Sequence, residues 1–227
     1  VFPFGEDLDG AYFLAWTTTP WTLPSNTALT VGPKIEYVLV ETFNQYTFRP
    51  QKVILAKPLL NSVFGKNYFE VDSKVDYLKY SLLWIEYINE KNKEDKSLKE
   101  WFENLTDVEI AEFQKIDQTE NKISFQGKTL EDLEKFGKEL LASLSENKSP
   151  SIPFRILETF KGSDLVGIKY EQLLPWALPY ENADKAFQVI DGDFVTTEDG
   201  TGIVHTAPTF GADDAKVAKE HGVPPML

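Results

Sequence analysis

Short runs of alternating apolar and polar residues, separated by Pro, Gly and Asn, occupy both ends of the sequence and most constrain its fold. "AYFLAWTT", "IEYVLVETF" and "KVILAK" lie in the first part, and "FRILETF", "DFVTT" and "GIVHTA" lie in the last part. A period of two is typical of β-strands, because successive side chains point to opposite faces of a sheet. The sequence therefore predicts one discontinuous β-rich domain made of residues 1–75 and 154–227.

The middle of the sequence, residues 76–153, has a different pattern. Charged residues are frequent there, and apolar residues recur at helical spacing in "SLKEWFENL" and "TLEDLEKFGKELLASL". Ser97 and Glu100 would form a capping box at the start of the first helix. We therefore predict an α+β protein, in which a barrel-like domain of mixed sheets carries a helical insertion at residues 76–153.

Two shorter segments of the last part also carry local signals. "ADDAKVAKEHG" predicts a short helix, and its acidic first turn suits the positive end of a helix dipole. "GSDLVGIK" imitates a phosphate-binding loop, but Ile168 separates the second glycine from the lysine, which puts the lysine out of register. We interpret this second segment as an ordinary loop.

Composition excludes several classes of protein. The 227 residues include no cysteine, which excludes disulfides and thiolate nucleophiles. With no cysteine and only two histidines, the sequence also has few residues of the types that usually bind zinc. A net charge of −13 argues against a surface that binds nucleic-acid phosphates unaided. No apolar run approaches the roughly 20 residues that span a bilayer. We expect a cytoplasmic protein that does not bind membranes.

Two unusual stretches remain, far apart in the sequence. "TTTPWTLPSN" at residues 17–26 concentrates hydroxyl groups on a segment that Pro20 and Pro24 restrain. In "GTGIVHTAPTFGADD" at residues 200–214, two glycines permit a tight turn and a strand would carry His205 outward. Taken singly, each feature also fits a structural role, since threonine favours strands, histidine packs in cores and aspartate caps helices.

Together the two stretches resemble the editing domain of isoleucyl-tRNA synthetase, a connective-peptide insertion of the class I synthetases for Ile, Val and Leu. In that family, Thr-Thr-x-Pro opens one wall of a hydrolytic pocket, and Gly-Thr-Gly followed by Pro and Asp closes the other. Thr19, Trp21 and the pair Thr209-Phe210 are similar to the isoleucyl branch rather than to the valyl and leucyl branches. The resemblance covers residues 10–75 and 154–227, and it implies that the helical segment is a lineage-specific insertion.

The resemblance implies an aminoacyl-ester hydrolase within an ATP-dependent isoleucine–tRNA ligase. Its substrate would be valyl-tRNA(Ile). Valyl adenylate is a second possible substrate, and the sequence does not distinguish between the two. The expected partners are the acceptor end of tRNA(Ile) carrying valine and the rest of the parent synthetase, in a monomer. The synthetic site needs His-x-Gly-His, which this chain lacks. No metal or cofactor is therefore expected in this domain, and ATP and magnesium would bind only at the synthetic site of the parent enzyme.

The resemblance also implies the catalytic residues. Thr17, Thr18, Thr19 and Asn26 would position the attacking water and stabilise the developing oxyanion, because hydroxyl and amide groups can donate hydrogen bonds. Asp214 would bind the α-ammonium group of the aminoacyl ester, for which a carboxylate is the natural counter-ion.

Trp21, His205 and Asp214 would bind the substrate, with His205 as the gate that excludes isoleucine by size. Trp21 could equally pack in the core, and His205 could be a hydrogen-bonded core residue. Two other classes also stay open at this point. One is a module that binds a tRNA acceptor end or a peptide without turnover, in which Asp214 only caps a helix. The other is a free-standing serine esterase, which requires a serine within hydrogen-bond reach of His205.

Overall fold

A computed structural model of the chain describes residues 2–3, 10–47, 49–74, 76–78, 80, 81, 84 and 151–226. The two helices predicted within residues 76–153 lie outside the described residues. Two compact units divide the chain. The first comprises Val1–Glu41, Gln51–Gly65 and Ile156–Leu227, and the second comprises Thr42–Pro50 and Lys66–Arg155.

The described residues include nine strands and three short α-helices whose bounds are defined at both ends. The strands are β1 Phe2–Pro3, β2 Tyr12–Phe13, β3 Ala28–Val31, β4 Glu36–Phe43, β5 Pro50–Ala56, β6 Tyr68–Glu70, β7 Ile152–Lys161, β8 Gln188–Asp191 and β9 Ile203–Thr206. The α-helices are α1 Leu60–Phe64, α2 Gly162–Leu165 and α3 Ala212–Glu220. Turns of 3-10 helix occur at Pro20–Ser25, Lys57–Leu59, Gly65–Asn67 and Ala183–Lys185.

A three-stranded sheet in the first unit positions the site described below. Its order is β8-β3-β9, with β3 parallel to β8 and antiparallel to β9. Every residue of β3 is buried, which explains why three of its four residues are apolar. Helix α3 covers part of this sheet, because Val217 and Ala218 pack with Ala28 and Ile190 in one cluster. The helix that follows β9 is thereby fixed against the same sheet.

The first unit also contains strands of a second mixed sheet, in the order β1-β2-β5-β4-β7. Strand β2 pairs in parallel with β5, and Tyr12 lies opposite Val53. The alternation in "IEYVLVETF" suggested a strand with one buried face, but β4 is buried at most of its positions. Strand β4 has a neighbour on each edge and apolar residues on both faces, so it is an interior strand.

The second unit contains a short parallel pair and helical residues. Strand β6 pairs with the beginning of β7, where Tyr68 lies opposite Ile152. Residues 74, 76–78, 80, 81 and 84 are helical, and Ser73 caps this segment because its Oγ accepts a hydrogen bond from the Asp76 amide at 2.9 Å. Phe43 stacks on Tyr77 with ring centroids 6.2 Å apart, which ties the end of β4 to these helical residues.

Two sequence-based expectations are wrong in this region of the chain. "DFVTT" is not a strand, because the preceding residues Gln188–Asp191 form β8 and Val195 N–H then donates to the Gly192 carbonyl in a turn. "GSDLVGIK" begins with a helical turn rather than a loop. Asp164 accepts a hydrogen bond from the Lys161 amide at 2.9 Å and so caps that turn.

The predicted α+β class with mixed sheets is confirmed. Among the strands that the structure describes, the two sheets do not close into a barrel. Within the same residues, there is no helix with the length and hydrophobicity needed to span a membrane.

Candidate active site

A cleft of about 540 Å³ in the first unit brings the two unusual stretches together. Its lining residues are Trp16, Thr17, Thr18, Thr19, Trp21, Thr22, Val204, His205, Ala207, Phe210, Gly211 and Asp214. The reason is the sheet register: β3 and β9 are antiparallel neighbours, and Ala28 lies opposite Thr206. The segment that enters β3 and the segment that leaves β9 therefore meet at one end of the ladder.

The threonine segment is a compact hydrogen-bonded loop. Thr17 Oγ1 accepts a hydrogen bond from the Thr19 amide at 3.1 Å, and Thr22 Oγ1 donates to the Thr19 carbonyl at 2.8 Å. Pro20 follows Thr19 as the first residue of the 3-10 helix, where a missing amide hydrogen costs nothing. Thr18 is exposed and has no hydrogen-bond partner among the described residues. Its hydroxyl group is available to a ligand in the cleft.

The Gly-Thr-Gly turn fixes the start of β9. Gly200 and Gly202 both have φ of 73°, a conformation that L-residues with side chains rarely adopt. A Cβ atom on Gly202 would lie 2.4 Å from the Cβ of Ala56, so a larger residue would also clash. The hydroxyl of Tyr37 donates to the Gly202 carbonyl at 2.6 Å, and burial raises the pKa of Tyr37 to about 12. The turn is thus held in place on both sides.

His205 is buried rather than directed outward, which corrects the sequence-based expectation; its exposed fraction is 6%. Thr22 Oγ1 lies 3.0 Å from Nε2, and Asn26 Nδ2 lies 2.8 Å from Nδ1. Burial lowers the pKa of His205, and the carboxylate of Asp214 opposes that effect only in part. The ring still lines the cleft. His205 therefore contributes a neutral wall whose two nitrogens are already hydrogen-bonded.

Asn26 does not line the cleft, although the resemblance implied a catalytic role for it. Its side chain is buried and donates through Nδ2 to the Ala28 carbonyl at 2.8 Å. Its Oδ1 accepts a hydrogen bond from the hydroxyl of Tyr170 at 2.5 Å. Asn26 therefore lies behind His205, to which it is hydrogen-bonded, and His205 lines the cleft. Tyr170 was not singled out from the sequence, where nothing distinguishes it from an ordinary aromatic residue of a β-rich region.

Asp214 is the third residue of α3 and lines the same cleft as the threonine segment. Its Oδ2 accepts a hydrogen bond from the Ala207 amide at 2.9 Å, which ties the loop after β9 to the helix. Among the described residues, the hydrogen bond of the Asp214 carboxylate is made by Oδ2, and Oδ1 has no partner. One carboxylate can therefore hold the loop with one oxygen and present the other to a ligand.

Exposed aromatic side chains surround the cleft. Trp16, Trp21 and Phe210 are exposed by 60%, 72% and 63%. The alternative that Trp21 packs in the core is therefore wrong. Among the described residues that line the cleft, Asp214 is the only carboxylate, and lysine and arginine do not occur. The cleft offers hydroxyl groups, one negative charge and flat apolar surfaces.

A second cavity of about 570 Å³ lies along α3 and the residues that follow it. Its lining includes Tyr180, Pro208, Ala218 and Val223, and it contains none of the site residues predicted from the sequence. In the part of the chain that the structure describes, no group of three or more His, Cys, Asp or Glu residues is arranged to hold a metal ion.

Several curated relatives of this chain carry the name isoleucine–tRNA ligase. The isoleucine–tRNA ligase of Cytophaga hutchinsonii is 46% identical over 219 residues, which is 96% of this chain and 13% of that protein. The ligases of Bacteroides fragilis and Porphyromonas gingivalis are 45% and 41% identical over 95% and 96% of this chain, and over 12% and 13% of their own lengths. No protein-family model matches the chain.

These relatives are aminoacyl-tRNA synthetases, and the chain spans 12 to 13% of their length. The chain is therefore a segment of that class of enzyme. It belongs to the isoleucyl-tRNA synthetase family, and the resemblance noted in the sequence is confirmed. One solved structure, "The crystal structure of GlLeuRS-CP1", matches with a TM-score of 0.38 and 15% identity, over 93% of this chain and 49% of that one.

Proposed function

We propose that this segment is the editing domain of its synthetase and hydrolyses valyl-tRNA(Ile) while excluding isoleucine by size. The observation that carries the proposal is that Thr17, Thr18 and Thr19 line the same cleft as His205 and Asp214. Valyl adenylate presents the same aminoacyl group, so it belongs to the proposed substrate class. The proposed reaction uses no metal or cofactor, and ATP and magnesium serve the synthetic reaction of the whole enzyme.

The groups in the cleft suit the hydrolysis of an ester that is already activated. Such a reaction needs a positioned water and donors for the developing oxyanion rather than a strong nucleophile. Thr18 has a free hydroxyl group for these tasks, and the hydroxyl of Thr19 lies 3.4 Å from that of Thr17 at the edge of the same loop. The free oxygen of Asp214 would bind the α-ammonium group of the valyl ester. Asn26 would act indirectly, by holding His205.

Selection against isoleucine requires a rigid wall, because one methylene contributes only about 0.8 kcal/mol through favourable burial. Steric exclusion can be steeper, since a well-packed wall accommodates extra volume at a cost of about 1 to 3 kcal/mol. The ring of His205 is held by Thr22 and Asn26 and cannot move without breaking those hydrogen bonds. We assign this wall the role of the size gate.

The acceptor end of the tRNA would be held mainly by stacking. Exposed aromatic faces bind bases at about 1 to 3 kcal/mol per base, without requiring a particular sequence. Trp16, Trp21 and Phe210 offer such faces beside the cleft, where the described lining has no cation. Because the net charge is −13, other parts of the synthetase must supply the contacts to phosphates. Binding of tRNA to this segment alone should be weak.

The two other classes are less well supported. A serine esterase requires a serine hydrogen-bonded to the histidine, but the ring nitrogens of His205 are bonded to Thr22 and Asn26. A binding module without turnover remains the second candidate, because the aromatic rim would suit it equally well.

The deciding experiment measures deacylation of valyl-tRNA(Ile) by the full-length synthetase that contains this segment. We compare the wild-type enzyme with a variant in which Thr18 and Thr19 are both alanine. The proposal expects rapid hydrolysis of valyl-tRNA by the wild type, little hydrolysis of isoleucyl-tRNA, and a reduced rate in the variant. Binding of valyl-tRNA without hydrolysis would instead establish the binding module.

A further inference from the structure

A buried chain of four polar side chains runs from the core to the threonine segment. The hydroxyl of Tyr170 donates to Asn26 Oδ1 at 2.5 Å, and Asn26 Nδ2 lies 2.8 Å from His205 Nδ1. His205 Nε2 lies 3.0 Å from Thr22 Oγ1, which donates to the Thr19 carbonyl at 2.8 Å. Tyr170, Asn26 and His205 are each exposed by 6% or less, so water does not compete for these bonds.

The orientation of the Asn26 amide is determined by its neighbours. Nδ2 lies 2.8 Å from the Ala28 carbonyl and 3.4 Å from the Thr206 carbonyl, and both of these groups can only accept hydrogen bonds. A flipped amide would place an oxygen against two carbonyl oxygens and would leave the hydroxyl of Tyr170 facing an NH₂ group. Asn26 therefore presents an N–H group to His205.

This orientation determines the protonation of the ring. Because Asn26 donates to Nδ1, that nitrogen accepts, and the neutral imidazole must carry its hydrogen on Nε2. Nε2–H then donates to Thr22 Oγ1, whose own hydrogen is directed at the Thr19 carbonyl. Each donor in this network has an acceptor, and Asn26 Nδ2 directs its two hydrogens mainly at the Ala28 carbonyl and His205 Nδ1. Because both ring nitrogens are engaged within the protein, the ring offers a ligand in the cleft no free N–H donor and no free nitrogen acceptor.

We infer that Tyr170 and Asn26 are positioning residues that lock His205 as the neutral Nε2–H tautomer and so make its ring an apolar, fixed wall for an aliphatic side chain. This inference rests on the proposed function for its biological meaning, but the lock itself exists without a substrate. A ring free to rotate or to gain a proton would admit water and polar side chains. The lock thus determines specificity for aliphatic amino acids as well as for their size.

Nuclear magnetic resonance can observe the lock directly. Long-range ¹H–¹⁵N correlation distinguishes the protonated from the unprotonated ring nitrogen, and the chain has only two histidines, His205 and His221. A His221→Gln variant assigns the signals. We expect His205 in the wild-type chain at neutral pH to show an unprotonated Nδ1 and a protonated Nε2. An Nδ1–H tautomer, a mixture of tautomers or a cationic ring would overturn the inference.

The Tyr170→Phe variant tests the first hydrogen bond of the series, which joins Tyr170 to Asn26. It removes one oxygen and keeps the ring that packs edge-on against Phe187. We expect the His205 signals to shift toward a mixture of tautomers, because Asn26 loses the donor that holds its oxygen. Tyr68→Phe is the matched control. It also removes a phenolic hydroxyl, but that hydroxyl donates to the Phe43 carbonyl and not to Asn26. Unchanged His205 signals in folded Tyr170→Phe would exclude Tyr170 as a positioning residue.

In the full-length synthetase, Tyr170→Phe should lower the ratio of valyl-tRNA to isoleucyl-tRNA hydrolysis by about 2- to 10-fold, the equivalent of one buried hydrogen bond. If the tautomer is as expected but valyl-tRNA is not hydrolysed by the wild type, the proposed function fails and the lock stands. If hydrolysis is present and the tautomer is wrong, the lock alone fails. If the variant does not fold, the wild-type spectrum still decides the inference.

Discussion

Asp214→Asn separates the two tasks that the structure gives to one carboxylate. The amide of asparagine retains an oxygen that can accept the Ala207 N–H group, so the loop after β9 should stay attached to α3. The negative charge is lost, which weakens the helix N-terminus by about 0.3 to 1 kcal/mol. A hydrogen bond to a charged group contributes about 1.5 to 3 kcal/mol. Losing the ammonium contact should therefore lower kcat/KM for valyl-tRNA hydrolysis by about 10- to 150-fold.

The assay follows deacylation of valyl-tRNA by the full-length synthetase, alongside thermal unfolding of each variant. Asp213→Asn is the matched control, because Asp213 is an exposed neighbour in the same helical turn and does not line the cleft. It removes the same charge from the helix N-terminus and should leave hydrolysis unchanged. Asp214→Ala should lose the Ala207 hydrogen bond as well, with a further destabilisation of about 1 to 3 kcal/mol.

Two results would refute this reasoning. Wild-type hydrolysis by Asp214→Asn would show that Asp214 only ties the loop to the helix and does not contact the substrate. Equal losses in Asp213→Asn and Asp214→Asn would show that the field of the helix N-terminus, rather than a direct contact, affects the reaction.

Two further predictions concern the wall and the turn that position the substrate. In the synthetase, His205→Ala should permit hydrolysis of isoleucyl-tRNA while valyl-tRNA hydrolysis persists; continued rejection of isoleucine by a folded variant would remove His205 from the gate. Tyr37→Phe leaves the Gly202 carbonyl and the Gly32 amide without their partner, so urea unfolding should show a loss of about 1 to 3 kcal/mol for each group. Because the folded-state pKa of Tyr37 is raised from 10.0 to about 12, the unfolded chain releases this proton first, and stability should fall as pH rises through that interval. The fall should be smaller in Tyr37→Phe, and equal pH profiles for the two proteins would contradict this explanation.

Much of the fold was predictable because it follows local pattern. Alternating apolar residues located β4, β5, β7 and β9, and the acidic first turn located α3. The errors occurred where a single contact overrides the pattern. "DFVTT" has the composition of a strand, but the turn after Gly192 prevents it from continuing β8.

The site residues were predictable where they belong to distinctive sequence motifs. They were not predictable where their roles depend on tertiary packing. Thr17, Thr18, Thr19 and Asp214 belong to distinctive motifs and do line one cleft. The burial of His205, the place of Asn26 behind it and the role of Tyr170 depend on contacts between residues distant in the sequence. Periodicity carries no information about such contacts, since it reports which face of an element is apolar and not which atom lies opposite.

The pairing of β3 with β9 also bears on how this chain tolerates additional sequence. Both walls of the cleft depend on that one ladder, and most of the polypeptide lies between its two strands. The entropy of closing a loop grows only with the logarithm of its length, so doubling the intervening chain costs roughly 0.6 kcal/mol. Extra residues can therefore be accommodated in an exposed connection between Val31 and Ile203 at a small thermodynamic cost to the cleft. Loss of β8, Tyr37 or Tyr170 would cost more, because these contact β3, Gly202 and Asn26 directly. A single residue inserted within β3 or β9 would instead reverse the faces of the strand and separate the threonine segment from Asp214.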